Sequence, residues 1–241
     1  MFNPSFSHRF KYDGGNDPGL NGVDLTRRCI ILLGGSFDPV HIGHVELGKY
    51  FCKLFKTNEL RLIPAGNPWQ KPLLKATPEQ RIDMLRLAFE PLDLSVTVDT
   101  QEIDRPGATY TIDTLKTIRK EVGNDTPLVF IMGADQLLRL DTWHNWRQLF
   151  TLTHIAVSAR PGLSNSLTLI PKAIADEFSK RFAEPDRIKS SPYGLTYLAR
   201  DVQVNASATE IRTALQNGQS PVTLVPEQVL KYIKENNLYK N

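Results

Sequence analysis

Cys29-Ile30-Ile31-Leu32-Leu33-Gly34-Gly35-Ser36-Phe37-Asp38-Pro39-Val40-His41-Ile42-Gly43-His44 is the stretch that decides how this chain folds. Its first five residues are all apolar, the pattern of a short strand buried on both faces in a parallel sheet. A loop bearing Gly and Pro follows, and then an amphipathic run from about Ile42 to Phe55. Gly34 and Gly35 carry no side chain, so the backbone there can approach a ligand closely. The helix beginning near Ile42 turns free N–H groups and the positive end of its dipole back toward the loop. His41 and His44 lie three residues apart on its first turn and face the same region. Together these features make an anion site with two added imidazole donors.

Strands and helices alternate from there on. Leu60 to Ile63 reads as a second strand, stopped at Pro64. Thr77 is placed to cap a helix, with Pro78 at its first position and Gln80 three after the cap, and that helix runs to about Phe89. Leu94 to Val98 reads as a third strand, Thr111 to Glu121 as a helix ending near Gly123, Leu128 to Met132 as a fourth strand and His154 to Ser158 as a fifth. A helix near Pro171–Phe182 precedes a loop holding Pro185, Pro192 and Gly194. Leu195 to Val204 holds one more strand, and two helices, about Thr209–Gln216 and Pro226–Asn236, close the chain. This order predicts an α/β fold: a Rossmann-like, doubly wound parallel sheet with helices on both faces and a small helical C-terminal part. Ligands then belong at the carboxyl ends of the strands, near the point where the strand order reverses. Residues 28–241 read as a single domain. Residues 1–27, with Pro4, Gly14, Gly15, Pro18, Gly19 and Gly22 and few aliphatic residues, read as a flexible extension.

The bulk properties exclude several classes. The chain has 241 residues, 41% of them hydrophobic, enough for a core without staples. Its net charge of +3, from 29 basic and 26 acidic residues, is too mild to argue for a nucleic-acid partner. No apolar run approaches the roughly 18 residues of a membrane span, and the N-terminus lacks the apolar segment of a signal peptide. Cys29 and Cys52 form no CxxC pair and no zinc-spaced cluster, so both read as reduced packing groups. A cytoplasmic protein without membrane or nucleic-acid partners is the expectation. The oligomeric state is not legible.

Three further segments carry polar chemistry. Ser207-Ala208-Thr209-Glu210-Ile211-Arg212 opens a late helix, where Ser207 or Thr209 can cap and Arg212 lies about one turn in. Hydroxyls, free N–H groups and a guanidinium suit phosphate oxygens. Gly133-Ala134-Asp135 follows the fourth strand, so Asp135 can accept from ribose hydroxyls. Trp143 offers a flat face for stacking an aromatic ring, while Trp146 reads as structural. The helix start at Thr111-Ile112 has free N–H groups that could hold a carboxylate.

The segment Gly34 to His44 resembles the GG(S/T)FDPxHxGH signature of the bacterial nicotinate-nucleotide adenylyltransferases. These belong to a nucleotidylyltransferase superfamily whose HxGH element is shared with class I aminoacyl-tRNA synthetases. The resemblance implies that His41, His44 and Arg212 are catalytic. It implies an ATP site formed by Gly34, Gly35, Ser36, Phe37, His41, Gly43, His44, Arg160, Ser207, Thr209 and Arg212. Ser207 to Arg212 is similar to the family's I-S-S-T-x-I-R, departing at Ala206 and Ala208. Ile131 to Trp146 is similar to its G-x-D-(x)7-W segment, which implies that Trp143 stacks on the nicotinate ring. Tyr110 to Leu115 resembles its S-Y-T-x-x-T-L helix start, with Thr109 in place of Ser. Lys71, Thr111, Ile112, Asp135, Trp143 and His144 are the residues implied for nicotinate mononucleotide. Trp69-Gln70 departs from a Pro-Pro-His-Lys type loop, and Val225 to Tyr239 resembles the closing helix. The likeness covers about residues 28–240.

The activity implied is transfer of AMP from ATP to nicotinate mononucleotide, releasing pyrophosphate, in NAD biosynthesis. The chemistry is in-line attack on the α-phosphorus, with Mg²⁺ held mainly by the phosphates and no protein ligand set for a metal. Three rival readings are another adenylyl- or cytidylyltransferase, a fragment of a class I synthetase, and a non-catalytic nucleotide-binding regulator. The Asp135/Trp143 segment and the closing helix argue against the first. The short chain and the lack of a basic tRNA-binding domain argue against the second. The intact histidines and Arg212 argue against the third.

Overall fold

A computed structural model of the chain describes residues 28–66, 74–158, 170–199, 202 and 206–240. The first strand, β1 (Ile30–Gly35), lies at the centre of a six-stranded sheet and pairs in parallel with β2 (Glu59–Pro64) and β4 (Leu128–Gly133). With β3 (Ser95–Val98), β5 (His154–Ser158) and β6 (Thr196–Ala199) the spatial order is β3-β2-β1-β4-β5-β6, and every pair is parallel. The order reverses between β1 and β4, so a crevice opens beyond Gly34-Gly35 and Gly133.

The strands sort their side chains by parity, and this produces the two layers. Cys29, Ile31 and Leu33 face one core with Val129 and Ile131, covered by α1 (Ile42–Leu54), α2 (Pro78–Phe89) and the C-terminal helices α8 (Ala208–Gln216) and α9 (Glu227–Glu235). Ile30 and Leu32 face the other with Leu128, Phe130 and Met132, covered by α4 (Thr111–Val122) and α6 (Lys172–Lys180). Cys29 and Cys52 are free thiols buried in the first core, and burial pushes Cys52 up to about 12. Among the described residues no helix is long and apolar enough to cross a membrane.

Local signals set most boundaries. Thr77 caps α2: its hydroxyl accepts from Gln80 N–H at 3.3 Å and the Gln80 side chain accepts from Thr77 N–H at 2.9 Å. Gly123, at φ 83°, ends α4. Three short helices are absent from the sequence reading: α3 (Gln101–Asp104), α5 (Ala134–Leu137) and α7 (Pro185–Ser190). The last corrects the expected loop around Pro185. Proline there occupies the first helical turn, where its missing N–H costs nothing, and in sequence this is indistinguishable from a loop proline. The strand expected within Leu195 to Val204 is found at Thr196–Ala199, and residues 200, 201 and 203–205 lie outside the described residues. The expectations for residues 1–27 lie outside the described residues.

Replacing Thr77 by Ala should cost about 1 kcal/mol of stability. That corresponds to a fall of about 2–4 °C in Tm for a chain of this size, measured by thermal unfolding.

Candidate active site

The crevice at the switch point is a cleft of about 900 Å³, at the upper end of the range for ligand sites. Gly34, Gly35, Ser36, His41, Gly43 and His44 line one part of it, joined by Ser207, Thr209 and Arg212 from the start of α8. Thr111, Asp135, Trp143 and His144 line another part. The fold thus brings four separate sequence segments to one opening. Two expected residues are not among the lining groups. Phe37 is 1% exposed and packs under the loop, its ring edge-on to His44 at 4.9 Å. Ile112 is also 1% exposed and belongs to the second core, so only its backbone is available to the site. Lys71 with Trp69-Gln70, and Arg160, lie outside the described residues.

The two glycines after β1 are demanded from inside the protein. A Cβ at Gly34 would sit 3.2 Å from the Phe130 ring, and one at Gly35 would sit 3.0 Å from the Phe37 ring. The aromatic floor is therefore pressed against bare backbone, which keeps the loop low over the sheet.

His41 is the N-cap of α1, and its ring stacks on that of His44 at 3.8 Å. His41 N–H donates to His44 Nδ1 at 3.2 Å. Nδ1 of His44 is thereby an acceptor, so the neutral ring carries its proton on Nε2. The helix end is less open than the sequence reading held. Ile42 N–H is taken by Leu224 C=O at 2.9 Å, and His44 N–H turns back to His41 C=O at 2.9 Å. At α8 the expected hydroxyl caps are not formed. Ser207 makes no capping bond, and Thr209 Oγ1 instead accepts from Arg212 Nη2 at 3.2 Å. Arg212 Nη1 donates to Asp38 C=O at 2.7 Å. The guanidinium thus bridges the first motif and the second and stands fixed before any phosphate arrives.

Beneath the loop lies a group that the sequence reading left without a role. The Asp38 carboxylate, 3% exposed, accepts from Lys75 N–H at 2.8 Å, Ala76 N–H at 3.0 Å and Tyr239 Oη–H at 2.8 Å. Arg81, 1% exposed, donates from Nη1 to Ser36 C=O at 2.9 Å. Burial lowers the Arg81 pKa and the Asp38 charge works against that. Burial first, then Asp38, raises Tyr239 well above the ordinary tyrosine range, so its hydroxyl keeps its proton and donates.

The second part of the cleft begins at α4. Its first intrahelical bond runs from Asp113 N–H to Tyr110 C=O at 3.0 Å, which leaves the N–H groups of Thr111 and Ile112 ahead of the helical ladder. Tyr110 and His144 lie ring to ring at 4.7 Å across the opening. Trp143 meets Phe130 edge-on at 6.2 Å, and its buried Nε1 has no hydrogen-bond partner among the described residues. Trp146 is 7% exposed and lies in the second core, as expected. The sequence reading passed over Glu102, which lines the cleft from α3 and accepts from Thr114 Oγ1 at 2.8 Å. Burial raises its carboxyl pKa, against the pull of Thr114 and Arg105. It binds the short α3 to α4, and Gly66 lets the chain after β2 pass: a Cβ there would lie 1.8 Å from Glu102 C=O.

A model of the cytidylyltransferase-like family matches residues 32–214, from β1 through most of α8, so by fold and site this is a nucleotidylyltransferase. A relative from Herminiimonas arsenicoxydans, bearing the name "Probable nicotinate-nucleotide adenylyltransferase", is 51% identical over 214 residues, 89% of this chain and 98% of the relative. One of the same name from Dechloromonas aromatica (strain RCB) is 38% identical over 211 residues, 87% of this chain and 97% of the relative. Among solved structures, Plasmodium falciparum nicotinic acid mononucleotide adenylyltransferase complexed with NaAD aligns with a TM-score of 0.67 at 18% identity, over 88% of this chain and 98% of that one. At that identity the likeness is one of fold. The chain belongs to the nicotinate-nucleotide adenylyltransferase family.

His44→Ala should keep the fold and lower kcat by about 10²–10³-fold, the scale for loss of one transition-state donor. Circular dichroism and steady-state rates check the two halves of that statement. Trp143→Ala should raise KM for the pyridine mononucleotide by an amount equivalent to about 1–3 kcal/mol of stacking and leave KM for ATP nearly unchanged. Equal changes for both substrates would make Trp143 a core residue only.

Proposed function

We propose that this chain transfers AMP from ATP to nicotinate mononucleotide, giving nicotinate adenine dinucleotide and pyrophosphate, as a soluble enzyme of NAD biosynthesis in the cytoplasm. The observation that carries the reading is the pairing within one cleft. Phosphate donors (His41, His44, Thr209 and Arg212) stand on one side of the β1/β4 switch point. An aromatic and helix-start pocket (Trp143, Thr111, His144 and Asp135) stands on the other.

An oxygen of the 5′-phosphate of nicotinate mononucleotide attacks the α-phosphorus of ATP. The new O–P bond forms as the bond to the β-phosphate oxygen breaks, and pyrophosphate leaves with that electron pair. No side chain need become covalently attached. The work of the protein is to bring two anions together and hold the charge that shifts onto the leaving group. His44 Nε2–H and the Arg212 guanidinium are the donors for it, with His41 beside them. The groups at this end are donors and fit phosphate oxygens. Both carboxylate oxygens of Asp38 are engaged by Lys75, Ala76 and Tyr239. A Mg²⁺ ion would therefore ride on the triphosphate, where it would reduce the charge that the incoming phosphate must approach.

The choice of acid over amide follows from hydrogen-bond polarity. The nicotinate carboxylate only accepts, whereas the nicotinamide NH₂ must donate. The N–H groups of Thr111 and Ile112 and the backbone at His144 satisfy the acid and oppose the amide. kcat/KM for nicotinate mononucleotide should exceed that for nicotinamide mononucleotide by at least about 10²-fold, a lower bound on polar discrimination of this kind. A coupled pyrophosphate assay with both substrates at saturating ATP measures it. Comparable values would refute a pocket built of donors alone.

A further inference from the structure

The segment after α8 touches the phosphate loop at two separate points. Leu224 C=O accepts from Ile42 N–H at 2.9 Å, at the start of α1. Beyond α9, Tyr239 Oη–H donates to the Asp38 carboxylate at 2.8 Å, across 201 residues of sequence. Tyr239 is 7% exposed. Its backbone has φ 60°, and Phe37, next to Asp38, has φ 49°. A non-glycine residue in the left-handed region is strained and persists only where its surroundings impose it. One such residue makes this contact and another is the chain neighbour of its acceptor. On the far side of Asp38 its carbonyl holds Arg212 Nη1 at 2.7 Å.

We propose that Tyr239 is a positioning residue for ATP: it fixes Asp38, and through Asp38 the loop beside His41 and the guanidinium of Arg212. It touches no reacting atom. The chain end acts as a strut on the triphosphate half of the cleft and leaves the pyridine half alone, where Thr111 and Trp143 belong to other elements. This assignment rests on the adenylyl transfer proposed above.

The test compares Tyr239→Phe with Tyr232→Phe. Tyr232 lies in α9, and its hydroxyl donates to Asp83 at 3.1 Å, away from the loop. Wild-type turnover with nicotinate mononucleotide and ATP is measured first, and its absence would count against the proposed activity rather than against the strut. Rates are taken well below the Tm of each variant. Tyr239→Phe should lower kcat/KM for ATP about ten-fold, the scale of a small misplacement of binding groups, with KM for nicotinate mononucleotide unchanged. Tyr232→Phe should match wild type for both substrates. Asp38→Asn, which leaves the Tyr239 ring in place, should give the same ATP-selective loss and serves if Tyr239→Phe does not fold. Wild-type ATP kinetics in Tyr239→Phe, or a parallel loss for both substrates with a lower Tm, would overturn the assignment. So would an ATP effect of equal size in Tyr232→Phe.

Discussion

The carboxylate of Asp38 is the point on which the geometry of the cleft depends. It is buried, and a buried carboxylate is tolerable only when its oxygens are satisfied. Its three donors come from two distant parts of the chain: the backbone of Lys75 and Ala76 ahead of α2, and the hydroxyl of Tyr239. Satisfying one side chain therefore locks the loop after β1 against both. The buried Arg81 guanidinium supplies a compensating charge nearby and holds Ser36 C=O. A loop that must present donors to phosphate cannot also be mobile. Here its rigidity comes from beneath, through the Asp38 and Arg81 hydrogen bonds.

The sheet sets where these parts can meet. Because β1 is flanked by β2 and β4, the helices that follow β1 and β4 lie on opposite faces, and a crevice is left between their starts. Nucleotide chemistry needs a phosphate site next to a ring site, and the switch point provides adjacent strand ends leading to different loops. The floor of this crevice is apolar. Phe130 and Phe37 press against Gly34 and Gly35, so the ligand backbone would rest on glycine over aromatic rings and not on solvated loop.

Much of this was legible in the sequence. The continuous apolar runs of β1 and β4, the Thr77 cap and the Gly123 stop are local signals, and these elements formed where their own residues demanded. The lining of the cleft by His41, His44, Thr209, Arg212, Asp135 and Trp143 was also within reach, because motif residues at strand and helix ends have few other places to go. What was not legible depends on contacts between distant segments. The N–H of Ile42 reads as free until Leu224 arrives to take it. Phe37 reads as a lining residue because it sits in the motif, but its left-handed backbone turns the ring under the loop. Ser207 and Thr209 read as caps, but Arg212 claims Thr209 in its bridge to Asp38. Glu102 carries no periodic signal, because α3 is a single turn.

The same bonds explain why the donors are set in advance. In water, a histidine exchanges tautomers and an arginine samples many rotamers. Here His44 Nδ1 is committed to the His41 N–H, which assigns the proton to Nε2. Arg212 is committed at Nη1 and Nη2 to groups on two different elements, which removes rotamer freedom before binding. Preorganisation of this kind is favourable for catalysis because the reorganisation that charge transfer would otherwise demand has taken place during folding. Folding stability and catalytic geometry are thus coupled through the same few hydrogen bonds around Asp38, and a change that loosens the chain end reaches the phosphate site without touching it.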